Sequence, residues 1–593
     1  MSQTSALRPG DVLGGRYVIA ATLGEGASSV VYRARDRFED REVAVKVSAA
    51  GADLSAELVA ALDAGHPVLV RALGVGTTPS GHAYLVLELA TGSTPERALA
   101  GRDTAETVAV LLDRVLDGLG CLHARGVVHG DVKPANLRVD LAGGRISVRL
   151  LDLGLARPGH ASAGGTLAYA APECLGAGAR DARSDLFSLG VVGYELLAGA
   201  LPFGDPGDPS YLARALAGEA APLPDAVPPG LAAVVRRLIQ ADPAARYATA
   251  WEARAALRDA VRSIPDASEA DVEPRFVGRD AALETLRGLM AQARAGRGAL
   301  ARLDGPPGSG RSRLLARATF DAALAGLATL ELRASLGAPE FLRALLAQGA
   351  SLPGGEACAA ALARLGGASS DPRGAWLDAA EALRALASRS PLWVAVHAAD
   401  AADRDVSAML DFIARGEAPI VWVGAWPSGG ALAAASSAVP LRALTGPEVA
   451  SMIASMLPGL PAVDELVHAA HDRTAGLPGA VRDGVVELRR AGVVRLLGGR
   501  WRVAGPLPPW AFDPTDEARD DRALGAMPPE ARATLGVLRL AGSVDGPDGL
   551  AALAAVPLAA ARGAIEHGLA AGVVRRDGSR LRVASPALGD VLA

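Results

Sequence analysis

The chain has 593 residues, half of them hydrophobic and 21% charged, with a formal net charge of -5. Length alone points to about four domains, and the hydrophobic share excludes an intrinsically disordered chain. The acidic balance argues against a nucleic-acid or membrane-surface binder, and three scattered cysteines (Cys121, Cys174, Cys358) form no metal spacing or disulfide framework, which fits a reducing cytoplasm. Residues 1–13 show no basic-then-apolar leader. The longest uncharged run, between Glu417 and Arg442, is broken by Gly424, Pro427, Gly429 and Gly430, so no membrane insertion is expected.

In chain order, Tyr17-Val18-Ile19 and the segment after it alternate like a β-hairpin. Between them, Leu23-Gly24-Glu25-Gly26-Ala27-Ser28-Ser29-Val30-Val31 carries glycines that let backbone amides approach phosphate oxygens. Ser29 takes the place of a third glycine, so alone the stretch reads equally as a plain glycine turn. Val43-Ala44-Val45-Lys46-Val47 is an apolar strand broken by one lysine, which is costly there unless paired. A snorkelling surface lysine fits poorly in a chain that uses arginine for surface charge. Glu57, at helical spacing with Leu58, Ala61 and Leu62, is the candidate carboxylate. Tyr84-Leu85-Val86-Leu87-Glu88-Leu89 is the next strand, and 104–125 reads as a helix.

His129-Gly130-Asp131-Val132-Lys133-Pro134-Ala135-Asn136-Leu137 follows, close to the His-Arg-Asp-x-x-x-x-Asn pattern of phosphoryl transfer. The whole chain contains one asparagine, Asn136, and two lysines, Lys46 and Lys133, so 58 of its 60 basic residues are arginine. All three fall on positions where this chemistry needs that side chain. Leu150-Leu151-Asp152-Leu153-Gly154 places an Asp-Leu-Gly where Asp-Phe-Gly is usual. Gly165-Thr166-Leu167-Ala168-Tyr169-Ala170-Ala171-Pro172-Glu173, then Arg183-Ser184-Asp185-Leu186, then Asp242-Pro243-Ala244-Ala245-Arg246-Tyr247 complete the series.

In order and interval, these motifs resemble a bacterial eukaryotic-like serine/threonine protein kinase, with domain bounds of 11–262. The resemblance implies a bilobal fold holding ATP between its lobes, enclosed by Leu23, Gly24, Glu25, Gly26, Val31 and Ala44, with Glu88 leading into the hinge. It implies that Glu57 positions Lys46, and that Asp131 orients the acceptor hydroxyl and takes its proton. Lys133 would neutralise the phosphoryl group, and Asn136 and Asp152 would hold Mg2+, or Mn2+ in its place. His129, Thr166 and Asp185 take structural or regulatory roles, Asp185 bracing the loop, and Glu173 pairs with Arg246. Two residues depart from the pattern. Gly130 replaces the arginine that would meet a phosphorylated activation segment, so strict dependence on such phosphorylation is not expected. Arg138 stands where an apolar residue usually floors the adenine pocket.

Residues 263–275 read as a polar linker. Leu300-Ala301-Arg302-Leu303 then runs into Gly305-Pro306-Pro307-Gly308-Ser309-Gly310-Arg311-Ser312 and a helix, the setting of a phosphate loop. Residues 276–445 resemble the AAA-type ATPase modules of signal-transducing regulators, in degenerate form. Arg311 replaces the loop lysine. The strand Leu392-Trp393-Val394-Ala395-Val396 ends in His397-Ala398-Ala399 without an acid, Asp400 and Asp403 lying too far along. A scaffold that keeps the fold is the favoured reading.

Residues 446–510 form a helical lid or winged-helix-like unit and 511–593 a winged-helix-like unit. Ala491-Gly492-Val493-Val494-Arg495 with Arg500 and Arg502-Val503 recurs as Ala571-Gly572-Val573-Val574-Arg575 with Arg580 and Arg582-Val583. From 511 to 593, nine arginines face eleven carboxylates, the wrong sign for a phosphate-tracking surface. The expected fold class is multidomain α+β and α/β: a bilobal protein kinase fold, a P-loop AAA-like α/β domain and winged-helix-like C-terminal units. The expected activity is serine/threonine phosphorylation of unidentified protein substrates, with a regulatory or scaffolding arm that meets protein partners. The alternative is a nucleotide-binding signalling switch or adaptor with weak or no kinase activity.

Overall fold

The computed structural model describes residues 7–25, 29–48, 66–78, 80–100, 104–141, 146–152, 167–175, 181–265, 274–365, 372–414, 418–426, 437–457, 460, 464–497, 500–508, 511–512, 528–541, 544–570, 574–577 and 580–583. The expected sites Gly26, Glu57 and Thr166 lie outside these residues.

The chain begins with a six-stranded antiparallel sheet. In chain order its strands are β1 (Val12–Leu13), β2 (Tyr17–Glu25), β3 (Ser29–Asp36), β4 (Arg41–Ser48), β5 (Ala72–Thr77) and β6 (Ala83–Glu88), and in space β1-β2-β3-β4-β6-β5. Period-two alternation along β4 puts Val43, Val45 and Val47 into a core with Ile19, Tyr32, Ala34 and Val86. Lys46 therefore projects from the opposite face.

A helical lobe follows, built on Thr104–His123, Ala182–Ala198, Pro229–Leu238 and Ala250–Ala260, with a hairpin of β7 (Leu137–Asp140) and β8 (Ser147–Leu150). The helix Ala182–Ala198 is defined at both ends. Asp181 and Ser184 form a capping box, and Gly199 closes it at φ 70°. A Cβ on Gly190 would come within 2.6 Å of the Leu238 Cβ, so glycine sets how closely that helix meets Pro229–Leu238. The helices Thr104–His123 and Ala250–Ala260 are stitched by buried charge. Arg254 meets Asp113 at 2.9 Å and Asp117 at 2.5 Å, Arg258 meets Asp113 at 2.6 Å, and His66 Nε2 lies 3.5 Å from Asp117.

The next module has a five-stranded parallel sheet: β9 (Ala299–Asp304), β10 (Ala328–Arg333), β11 (Leu392–His397), β12 (Ile420–Gly424) and β13 (Ser437–Pro440), ordered β10-β11-β12-β9-β13. The continuous apolar runs of β11 and β12 are buried on both faces, as a parallel sheet covered by helices requires. The helices Gly446–Met456, Asp464–Thr474 and Pro478–Arg490 pack with Phe512 and a hairpin of β14 (Val494–Leu497) and β15 (Arg500–Val503). A last group combines three helices within 529–570 with β16 (Val544–Asp545), β17 (Val574–Asp577) and β18 (Arg580–Val583). The two repeated segments form hairpins of matching register, Val494 opposite Val503 and Val574 opposite Val583. Among the described residues, only the second gains a third strand, because Val544 and Asp545 pair with Leu581 and Arg580. Among the described residues, no single helix is long and apolar enough to cross a membrane.

Candidate active site

The site lies where the two lobes of the N-terminal domain join. Leu150 N donates to Val68 O at 2.6 Å and Leu151 N to Asn136 O at 2.7 Å, which brings β8 against both the sheet-bearing lobe and the loop 129–136. Asp152, directly after β8, adopts φ 48°, an uncommon conformation for a non-glycine residue that costs on the order of 1 kcal/mol. Its Oδ1 lies 2.8 Å from Lys46 Nζ, so residues 106 positions apart meet across the cleft.

The loop is held from below by Asp185. One carboxylate oxygen accepts from His129 N at 2.8 Å and the other from Gly130 N at 2.7 Å. His123 Nε2 lies 2.8 Å from Asp185 Oδ2 and completes its surroundings. His123 was not singled out in the sequence, because its partner is 62 positions away and no local spacing links them. The His129 ring is fully buried, and that burial holds its pKa below the ordinary value although Asp185 and the Leu151 carbonyl act the other way. The neutral ring donates from Nε2 to Leu151 O at 3.0 Å and accepts from Asp131 N at Nδ1, a tautomer set by those partners. His129 thus ties the loop to the segment that presents Asp152.

On this base Asp131 is fixed asymmetrically. Its Oδ2 takes Asn136 Nδ2 at 2.9 Å and Lys133 Nζ at 2.8 Å, while Asn136 Nδ2 also donates to the Asp131 carbonyl. Its Oδ1 is shielded from solvent and carries no donor. An unpartnered carboxylate oxygen is unfavourable, and it points to a hydroxyl or ammonium donor from a bound molecule. Asn136 Oδ1 and Asp152 Oδ2 are hard oxygen donors of the kind Mg2+ takes beside nucleotide phosphates. Among the described residues, no group of three or more His, Cys, Asp or Glu is placed to hold a metal, here or elsewhere.

The surrounding residues fall into place around that centre. Leu23 is exposed at the end of β2 with Gly24 and Glu25, while Val31 in β3 lies opposite Gly24 and Lys46, and Ala44 in β4 opposite Arg33 and Leu87. Glu88 closes β6 and faces Arg149 at 3.5 Å. Arg138 turns its guanidinium onto the Ala135 and Leu137 carbonyls, both at 2.9 Å. Arg246 is buried and uses its whole fork: two bonds to Glu173 at 2.8 Å, and one each to the carbonyls of Gln240, Ala241 and Arg183. Its guanidinium also lies 4.8 Å from the Phe187 ring centre. A lysine has neither the reach nor the donors for that position.

The second phosphate-type loop differs. Gly310 (φ 90°), Arg311 and Ser312 border a cavity of about 390 Å3 that Arg279, Arg313 and Arg482 also line, while Gly305 packs against Ser309 and Leu441 outside its lining. Arg311 Nη2 is bound to Asp400 Oδ2 at 2.8 Å. Asp400, expected too far along to serve as the acid at the strand's end, is instead the counter-ion of Arg311. The 3-10 turn Ala399–Ala401 brings it back over the loop. Arg279 Nη2 holds the Ser309 carbonyl at 2.8 Å, and Gly479 N holds that of Gly308 at 2.9 Å.

Residues 17–258 match the family described as Protein kinase domain. The chain is 33% identical over 271 residues to the serine/threonine-protein kinase pkn2 of Myxococcus xanthus, covering 42% of this chain and 32% of that one. It is 36% identical over 272 residues to the serine/threonine-protein kinase PknL of Mycobacterium tuberculosis, covering 40% of this chain and 64% of that one. The crystal structure of the Mycobacterium tuberculosis PknI kinase domain aligns over 43% of this chain and all of that one, at 25% identity and a TM-score of 0.34. The chain therefore spans about a third to two thirds of the length of these two curated relatives. Residues 17–258 form a protein kinase domain of bilobal α+β arrangement, similar to those of bacterial serine/threonine kinases.

Proposed function

We propose that the chain transfers the γ-phosphoryl group of ATP to serine or threonine hydroxyls of protein substrates in the cytoplasm. One observation carries this reading: Asp131 is clamped through Oδ2 and offers a shielded, unpartnered Oδ1. An acceptor hydroxyl donating to that oxygen is aligned for attack and has a base for its proton. Lys133, bound to the same carboxylate, stands ready to offset charge on the transferred group. Lys46 supplies a cation for the nucleotide phosphates, with Asp152 holding it in the cleft. Mg2+, or Mn2+, would be held by Asn136 and Asp152 and would neutralise phosphate charge. Asp185 and His129 keep the loop backbone in one conformation, so little reorganisation precedes transfer.

We read residues 276–445 as an AAA-like scaffold and the later helix-and-hairpin groups as winged-helix-like protein-contact units. In support, the Arg311 guanidinium is already engaged by Asp400, and β11 ends in His397 with no metal-binding carboxylate at that point. The test is transfer of labelled γ-phosphate to a generic acceptor such as casein, with phosphoamino-acid analysis. Phosphoserine or phosphothreonine from the wild type and none from Asp131→Asn supports the reading. Label in both, or in neither, contradicts it.

A further inference from the structure

The kinase domain meets the parallel-sheet module along a shared face that leaves a cavity of about 230 Å3 between them. β10 is an edge strand of its sheet, and unpaired strand edges recruit foreign strands unless covered. Gln348, in the helix Ala338–Ala350, covers it with its side chain. It accepts from Glu331 N at 2.9 Å and donates to Glu331 O at 2.7 Å. The β1–β2 turn of the kinase lies directly on that cover. Gly15 sits there at φ 65°, and a Cβ on it would come within 2.5 Å of both Gln348 Cα and Ser351 Oγ.

Beside the turn, Arg16 joins the two modules. Its Nε and Nη2 grip Asp36 of its own sheet at 2.8 and 2.9 Å, and its Nη1 reaches Glu331 across the interface at 2.5 Å. The second Glu331 oxygen lies 3.0 Å from His397 Nε2. Phe38 is held between Arg16 at 4.8 Å and Arg333 at 4.6 Å, with the His397 ring 5.3 Å away. Burial alone would raise the Glu331 carboxyl, yet Arg16 and His397 outweigh it and hold it at about 2. Glu331 is therefore charged at neutral pH. At the rim, the half-exposed pair Arg333–Glu39 closes at 2.8 Å. Farther along, Phe320 from the helix Arg311–Leu324 is buried in the same apolar cluster as residues of the kinase's helical lobe and of β5.

We infer that the parallel-sheet module is a fixed docking partner of the kinase domain within the same chain, seated on the sheet-bearing lobe through Gly15, Arg16 and Phe38 and received by Glu331, Gln348 and Phe320. None of these six residues belongs to the candidate active site. The face is a handle on the lobe that carries Lys46, and that lobe moves only with the module attached to it. Asp36 and Glu331 share one arginine, so opening the contact parts Glu331 from Arg16 and leaves it with His397 alone. The inference does not depend on whether the domain transfers phosphate.

Hydrogen exchange of the full chain tests it. Glu331→Ala is expected to speed exchange in 12–19 and 72–77, on the kinase side, by about tenfold while 182–198 stays unchanged. The rim gives a milder probe that leaves both cores intact. Glu39→Arg is expected to speed the same peptides, and the double variant Glu39→Arg, Arg333→Glu to restore them. Gly15→Ala is compared with Gly81→Ala, which bears the same backbone strain at φ 85° in open space. The former is expected to loosen the face and the latter to leave it closed. Unchanged exchange at 12–19 and 72–77 in Glu39→Arg and Gly15→Ala overturns the inference, as does equal loosening by Gly81→Ala.

Discussion

The chain holds two basic side chains each bound to an aspartate at 2.8 Å: Lys46 in β4 with Asp152, and Arg311 beside a glycine-bearing loop with Asp400. The pairs look alike and belong to different settings. Around Lys46 the structure gathers an aspartate with a vacant oxygen, an asparagine and a second lysine, all braced by Asp185 and His129. Around Arg311 it gathers further arginines, and the nearby aspartate serves only as its counter-ion. What separates the two settings is the arrangement of acceptors, more than the presence of a loop and a cation.

The contrast can be broken first at its strong end. Lys46→Ala and Asp131→Asn are each expected to lower phosphoryl transfer by about 1,000-fold with unchanged thermal stability, read as initial rates beside a melting curve. Next, Arg246→Lys is expected to cost about 3 kcal/mol, because the buried Glu173 pairing and three carbonyl contacts lose their fork. Chemical denaturation measures it, and a loss below about 1 kcal/mol removes Arg246 from the account.

A third prediction concerns pH. Burial would lower the His66 pKa, but Cys121 and Asp117 outweigh it and raise it to about 9. With the folded value above the ordinary 6.5, the stabilisation is complete below about pH 6.5 and is lost as pH rises toward 9. His66→Gln is expected to flatten that part of the stability profile, by a few kcal/mol at most. Fourth, Arg311→Lys is expected to create no ATP turnover in the second module, because β11 ends without a carboxylate and Asp400 is held as the counter-ion of the residue at 311. A steady-state phosphate-release assay on Asp131→Asn, Arg311→Lys checks it without interference from the kinase site. The smallest effect is expected from phosphatase treatment. With Gly130 in place of the loop arginine, the treated protein keeps its activity. Abolished activity would contradict that.

Much of the kinase site was legible because its chemistry restricts residue type. A single asparagine and two lysines in a chain of arginines stand out by composition alone. The Asp185 bracing and the Glu173–Arg246 pairing were readable from motif order, and the structure supplies their bond networks. Contacts made by tertiary folding were not readable. His123 reaches Asp185 from the last turn of another helix, and Asp400 reaches Arg311 only because a 3-10 turn reverses the chain. Arg16 is one of 58 arginines, so nothing local marked it as the link to Glu331. Gly15 looked like any turn glycine until Gln348 was found against it.

The central claim is that phosphoryl transfer belongs to the domain at 17–258 and that the second loop takes no part in it. The most direct measurement compares labelled phosphate incorporation by the full-length wild type, Asp131→Asn and Arg311→Ala, side by side. The account predicts label on serine or threonine for the wild type and Arg311→Ala, and none for Asp131→Asn. Loss of label in Arg311→Ala, or its survival in Asp131→Asn, would contradict it.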